Sequence, residues 1–118
     1  MKTYLFVLRK AAHSGAWLQE MLDMLLTTAA FDQKVSVLLL DDAVFHLKQN
    51  QQAQLQQLKD TAALLSVLPL YEITDIYSET ESLQDRGLKT EDLFLPVQLL
   101  NREQIGAFMQ GFDILIAA

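Results

Sequence analysis

The chain has no cysteine among its 118 residues. That excludes a disulfide framework, a thiolate metal site and a sulfur nucleophile. Positive charge is also scarce: 9 Lys and Arg stand against 15 Asp and Glu, a formal net charge of −6. Gripping nucleic acid rests on Lys and Arg neutralising phosphates, so direct nucleic-acid binding is not expected of this chain. The simplest consequence of the acidic balance is solubility. Long apolar runs are missing as well, the longest being strand-length, against the roughly 20 residues that a membrane helix needs. Lys2 followed by Tyr4–Leu8 has the outline of a signal peptide. The run closes at Arg9-Lys10, short of the roughly 7–15 residues of an h-region, so it reads as a first strand and a cytoplasmic, membrane-free chain is expected. No repeat, linker or low-complexity tract interrupts the sequence, and a single domain over residues 1–118 is expected.

What is present is an alternation of strand and helix patterns. The most informative segment is Lys34–Leu47, KVSVLLLDDAVFHL, in which the apolar run Val35–Leu40 stops on Asp41 and Asp42. A strand apolar on both faces must be covered on both faces, as in a parallel sheet between helices. Thr3–Leu8 reads as the first strand, Ala16–Phe31 as a helix and Val35–Leu40 as the second strand. The helix shows Trp17, Met21, Met24, Leu25 and Thr28 at helical spacing, with Leu18, Leu22, Leu26 and Ala29 widening the arc. Ala43–Leu47 reads as a short helical turn and Gln52–Leu68 as a helix ended by Pro69. Ile73–Tyr77 reads as a third strand. Ser78–Gly87 reads as a short helix, with a capping box from Ser78 and Glu81 and a left-handed stop at Gly87. Phe94–Leu99 is a fourth strand bent at Pro96; Asn101 and Gln104 open a last helix to about Gln110; Asp113–Ala117 is a fifth strand. The expected fold is α/β, three-layer α/β/α, with a five-stranded, mainly parallel sheet.

In such sheets ligands and partners are met beyond the carboxyl ends of the strands. Asp41 and Asp42 fall there, and the plain expectation is that one of them caps the following turn. A receiver-domain reading fails, because there the acidic pair follows the first strand, here followed by Arg9-Lys10-Ala11-Ala12-His13. The Arg9–Gly15 loop has only Gly15, too few glycines for a phosphate cradle. No nucleophile-elbow context supports a hydrolase. His13 and His46 follow the first and second strands, and with Asp41 or Asp42 they offer imidazole and carboxylate for a divalent metal. They lack ligand spacing on one element, so the leading reading contains no metal and no cofactor. Phe45 and Tyr71 are candidate interface anchors flanking the crevice.

These segments carry a likeness. YLFVLRKAAHSG with LQEMLDMLLTTAAF, VSVLLLDDAVFHL, LLSVLPLYEITDIYSETESLQDRGL and the closing FDILI together resemble the sulfur-relay proteins of the DsrE/DsrF/DsrH group, its TusC/DsrF branch above all. Two departures are Ala43 and Pro69, where glycine is usual in that branch. The resemblance implies a DsrEFH-like fold and a heterohexamer with two copies each of TusD/DsrE-like, TusB/DsrH-like and TusC/DsrF-like subunits. Such a complex passes persulfide sulfur through a TusE/DsrC-like acceptor toward 2-thiolation of tRNA wobble uridine, or serves sulfur oxidation. A persulfide carrier needs a thiolate, so this chain is expected to be a non-catalytic docking subunit. The alternative is a stand-alone small-molecule or metal-binding module using His13, Asp41 and Asp42.

Overall fold

The computed structural model describes residues 2–10, 15–31, 33–47 and 65–117, with side chains of the first helix from residue 19 onward. The runs that are apolar on both faces become the centre of a parallel sheet. Strands β1 (Thr3–Leu8), β2 (Lys34–Leu39), β3 (Ile76–Glu79), β4 (Gln98–Leu100) and β5 (Ile114–Ala117) lie in the order β4-β3-β2-β1-β5, every pair parallel. The chain steps β1, β2, β3, β4 in one direction and then returns to place β5 on the far side of β1. With right-handed crossovers, that reversal puts the helix before β5 on the opposite face from the others.

The two cores show this division. On one face, Phe6, Leu8, Val37, Leu39 and Ile76 pack with Met21, Leu22 and Leu25 of α1 (Gly15–Ala30) and Leu83 of α2 (Thr80–Asp85). On the other, Leu5, Val7, Leu38 and Leu40 pack under Ile105, Phe108 and Met109 of α3 (Arg102–Gln110). Alternate residues of each strand serve opposite layers, as the period of two requires. The layers are therefore the three expected, with α3 alone on its side among the described residues. None of the described helices is long and apolar enough to cross a membrane.

Several boundaries differ from the sequence expectation, each for a local reason. The third strand starts at Ile76, not Ile73, because Glu72 turns through a left-handed conformation (φ 61°) and the Ile73 N–H returns to the Leu68 carbonyl at 3.0 Å. The strand then runs on to Glu79, so Ser78 caps nothing: it is buried in the ladder, and its hydroxyl donates to the Leu39 carbonyl at 3.3 Å. The expected Ser78–Glu81 capping box is thus not formed. The stop at Gly87 is as expected: with φ 68° it closes a Schellman turn, Leu88 N–H to Leu83 O at 2.9 Å and Gly87 N–H to Gln84 O at 3.1 Å. The fourth strand begins only at Gln98, two residues beyond Pro96, which has no N–H to give a ladder. Asn101 opens α3, its N–H donating to Gln104 Oε1 at 2.8 Å. On α1 the buried stripe is Met21, Leu22 and Leu25, and Met24 faces outward. Most of the expected Gln52–Leu68 helix, and the Trp17 side chain, lie outside the described residues.

Candidate functional site

Three strands end at one crevice. β1 delivers Arg9, β2 delivers Leu40 and Asp41, and β3 delivers Glu79; α3 adds Arg102, Ile105 and Met109 from above. The cavity is about 440 Å³. That falls in the size range of ligand pockets, at the carboxyl-end position where open α/β sheets meet their ligands. Its floor is apolar and its walls carry two guanidinium and two carboxylate groups.

Glu79 is the hub. It sits on the α3 face of β3 and is buried. Its Oε1 accepts from Ser82 Oγ at 2.6 Å and from Arg102 Nη2 at 3.1 Å. Burial works to raise the Glu79 carboxyl above its ordinary range. The bonds from Arg102 and Ser82 and the charges of Arg102 and Arg9 outweigh that, and the carboxyl is held below it. Ser82 Oγ in turn accepts the Asp41 N–H at 2.9 Å. This matters because Asp41 has φ 52°, a left-handed conformation that aspartate tolerates better than most residues. One hydroxyl therefore fixes both the buried carboxylate and the turn leaving β2. Arg102 also reaches Asp85 at 3.6 Å, and its N–H donates to Glu81 Oε1 at 2.9 Å, so α2 seats the start of α3.

The aspartates found from the sequence are placed at this rim, each beside an arginine of the chain. Asp41 pairs loosely with Arg9 at 3.5 Å, both half-exposed. Asp42 Oδ1 accepts from Arg86 Nε at 2.9 Å, and Arg86 also donates to the Ser82 carbonyl at 3.1 Å. His46 is fully buried in the 3-10 helix Asp41–Leu47, with Nε2 at 2.8 Å from the Lys10 carbonyl. Burial lowers its pKa and the Lys10 bond opposes that, which makes it a tie between β1 and the turn after β2. Phe45, in the same turn, packs against the α1-side core. Tyr71 is exposed, but it lies at the other end of the sheet, beside Val35 and Ile73 where β2 begins. His13 lies outside the described residues. No cluster of three or more metal-ligating side chains occurs among the described residues.

The residues that organise the crevice, Arg9, Glu79, Ser82 and Arg102, were not singled out from the sequence. The available signal was small: a glutamate inside a strand pattern, ITDIYSE, and an arginine directly after a helix cap.

Comparison with known proteins agrees with this architecture. Residues 2–117 match the DsrE/DsrF-like family. The chain is 36% identical over 115 residues to the "Protein TusC homolog" of Pseudomonas aeruginosa, covering 98% of this chain and 97% of that one. It is 37% identical over 93 residues to the "Intracellular sulfur oxidation protein DsrF" of Allochromatium vinosum, covering 79% and 68%. Among solved structures, the ychN protein from E. coli superposes with a TM-score of 0.75 at 14% identity over the whole of both chains. A Methanobacterium thermoautotrophicum protein of unknown function, MTH1491, gives 0.71 at 11%, again over both whole chains. These two likenesses speak for the fold, whereas the family match and the two sequence relatives speak for descent: the chain belongs to the DsrE/DsrF-like family.

Proposed function

We propose that this chain is a non-catalytic docking subunit of a sulfur-relay complex, the TusC/DsrF-type member beside TusD/DsrE-like and TusB/DsrH-like partners, two of each. The observation that carries the reading is the absence of any cysteine in a chain matched to TusC relatives over nearly its whole length. Sulfur moves between proteins as a persulfide, formed when a thiolate attacks a sulfur donor and passed on when another thiolate attacks the persulfide. Without a thiol this chain takes part in neither step, so the carrier belongs on a partner. Its contribution is a shaped surface: the crevice at the strand ends is held rigid by the Glu79–Ser82–Arg102 network rather than poised for proton transfer. In this reading the complex hands sulfur to a TusE/DsrC-like acceptor on the way to 2-thiolation of tRNA wobble uridine, in the cytoplasm. The likeness to the DsrF protein of A. vinosum favours a second setting for the same subunit, a sulfur-oxidation complex.

The test is co-purification followed by labelling. The chain is expected to copurify with TusD-like and TusB-like partners. With a cysteine desulfurase and labelled cysteine, thiol-reducible label is expected on a partner and none on this chain. A stable chain that ignores both partners, or label released by thiols from this chain, would overturn the proposal.

A further inference from the structure

An isolated glycine inside a helix costs stability relative to alanine and calls for a reason. Gly106 stands in the middle of α3, and a Cβ built there meets nothing within 4 Å. No contact among the described residues requires the glycine. What the missing side chain leaves is space, and that space belongs to the crevice. Gly106 lines the cavity of about 440 Å³, together with Arg9, Asp41 and Arg102. A side chain at this position would stand in it. The floor alongside is apolar, formed by Leu40, Ile105 and Met109.

The walls supply donors. A guanidinium carries five N–H groups in a planar fork. Arg102 gives only Nη2 to carboxylates, to Glu79 at 3.1 Å and to Asp85 at 3.6 Å. Arg9 gives only Nη1, to Asp41 at 3.5 Å. The other guanidinium N–H groups of both meet no acceptor among the described residues, and both side chains are half-exposed. The Arg9–Asp41 pair is long and wet, so it holds Arg9 only weakly. Such forks match the oxygens of a carboxylate or of a phosphate. Net charge decides between these two. Arg9 and Arg102 are offset by Asp41 and Glu79, so the crevice of this acidic chain has no surplus positive field to gather a polyanion. A phosphate would bring a second negative charge past the Asp41 carboxylate. A monocarboxylate brings one charge to a fork, and an apolar body attached to it rests on the floor.

We propose that the crevice is a binding site for a monocarboxylate with a short apolar body. The carboxylate is held between the Arg9 and Arg102 guanidinium groups, and the apolar part lies over Leu40, Ile105 and Met109 in the clearance at Gly106. A free organic acid and the carboxyl terminus of a polypeptide carry this same chemistry. The inference uses the crevice alone and is independent of the sulfur-relay reading, so copurification with partners neither supports nor overturns it.

The test is titration of the isotope-labelled full chain, followed through its backbone amide NMR signals. The probes are hexanoate, hexanol, inorganic phosphate, and N-acetyl-alanyl-leucine with its carboxyl end free or amidated. Hexanoate is expected to shift the Arg9, Asp41, Arg102 and Gly106 amides and to saturate in the millimolar range, as a ligand of its size allows. Hexanol, which lacks the charge, and phosphate, which lacks the apolar body, are expected to bind at least roughly tenfold more weakly. A free-ended dipeptide that binds more tightly than hexanoate, and loses this on amidation, identifies a polypeptide terminus as the source. Tighter binding of hexanoate identifies a free acid. Gly106→Leu is expected to weaken hexanoate roughly tenfold or more without lowering the urea midpoint, because leucine fills the space and is the better helix former. Arg9→Gln is expected to weaken it roughly tenfold through loss of one charged fork, with the fold checked by circular dichroism. No saturable shift with either hexanoate or the free-ended dipeptide, hexanol or phosphate binding as well as hexanoate, or unchanged affinity in both variants would each overturn the proposal.

Discussion

Replacing Glu79 by Gln is the sharpest probe of what holds the crevice together. The amide keeps the shape and one oxygen acceptor but removes the charge. Hydrogen bonds to charged groups contribute about 1.5–3 kcal/mol and neutral ones about 0.5–1.5 kcal/mol. The buried Ser82–Glu79 bond at 2.6 Å therefore loses about 1–1.5 kcal/mol on changing class. Arg102 is half-exposed, so water screens its attraction and its loss adds little. The expected destabilisation is about 1–2 kcal/mol, which with a urea slope of about 1–2 kcal/mol/M lowers the midpoint by about 1 M. The pH dependence gives a second reading of the same bond. The folded carboxyl is held below its ordinary 4.5, so its stabilisation is fully present above 4.5 and is lost as pH falls through the lower folded value. The gap between wild type and Glu79→Gln should accordingly be widest at neutral pH and close as pH falls below 4.5. Urea melts monitored by circular dichroism at a series of pH values measure this. An unchanged midpoint at neutral pH, or a gap that persists undiminished in acid, would refute the argument that the carboxylate charge organises the site.

Other outcomes follow from the same structure. Gly87→Ala should destabilise by about 1–2 kcal/mol in the same melts. The cost is conformational, since a Cβ at Gly87 meets nothing within 4 Å while φ is +68°. His46 is kept from its proton by burial, against the Lys10 bond, so the unfolded chain takes up that proton first and stability should fall as pH drops below 6.5. His46→Gln should flatten that slope, and an identical slope in the variant would assign it elsewhere. The double variant Asp41→Asn, Asp42→Asn should assemble with its partners and retain most relay activity, because each carboxylate is engaged at the rim by an arginine of this same chain. Near-complete loss of transfer in an intact complex would make those carboxylates catalytic. Tyr71→Ala should weaken partner binding without lowering the melting midpoint by more than about 0.5 kcal/mol in equivalent stability, as a half-exposed side chain outside the core allows.

The parts of the fold that were legible are those specified within a few residues. Val35–Leu40 needs no distant information to read as a buried strand, and Asn101 with Gln104 or Gly87 with Leu88 announce their helix ends locally. Where the reading failed, the deciding contact was remote. Ser78 looks like a helix cap until β3 is set in register beside β2, where Ser78 faces Leu39 and its hydroxyl is claimed by that carbonyl. Glu79 carries no local mark of its burial, because its cation, Arg102, follows 23 residues later across the turn into α3. Asp41 and Asp42 were noticed for their position, but which cation each meets depends on strand order, and Arg86 is 44 residues from Asp42. Tyr71 was put at the crevice as a large aromatic at a loop end, but it precedes β3, and the residue before a parallel strand lies at the end of the sheet away from the crevice.

The pairing of the first strand with the last bears on how the chain is made. Tyr4 is aligned with Ile114, and Thr3 and Asp113 are bonded across 110 residues of sequence. On a ribosome β1 emerges before β5 and waits for it while the intervening chain is made, at about 5–20 residues per second. During those seconds β1, with Leu5 through Leu8 meant for full burial, is itself an open edge. A nascent chain stalled before residue 111 presents a strand meant for burial to any neighbour. The period of greatest aggregation risk is therefore set by translation speed, and slow codons between β1 and β5 would lengthen it.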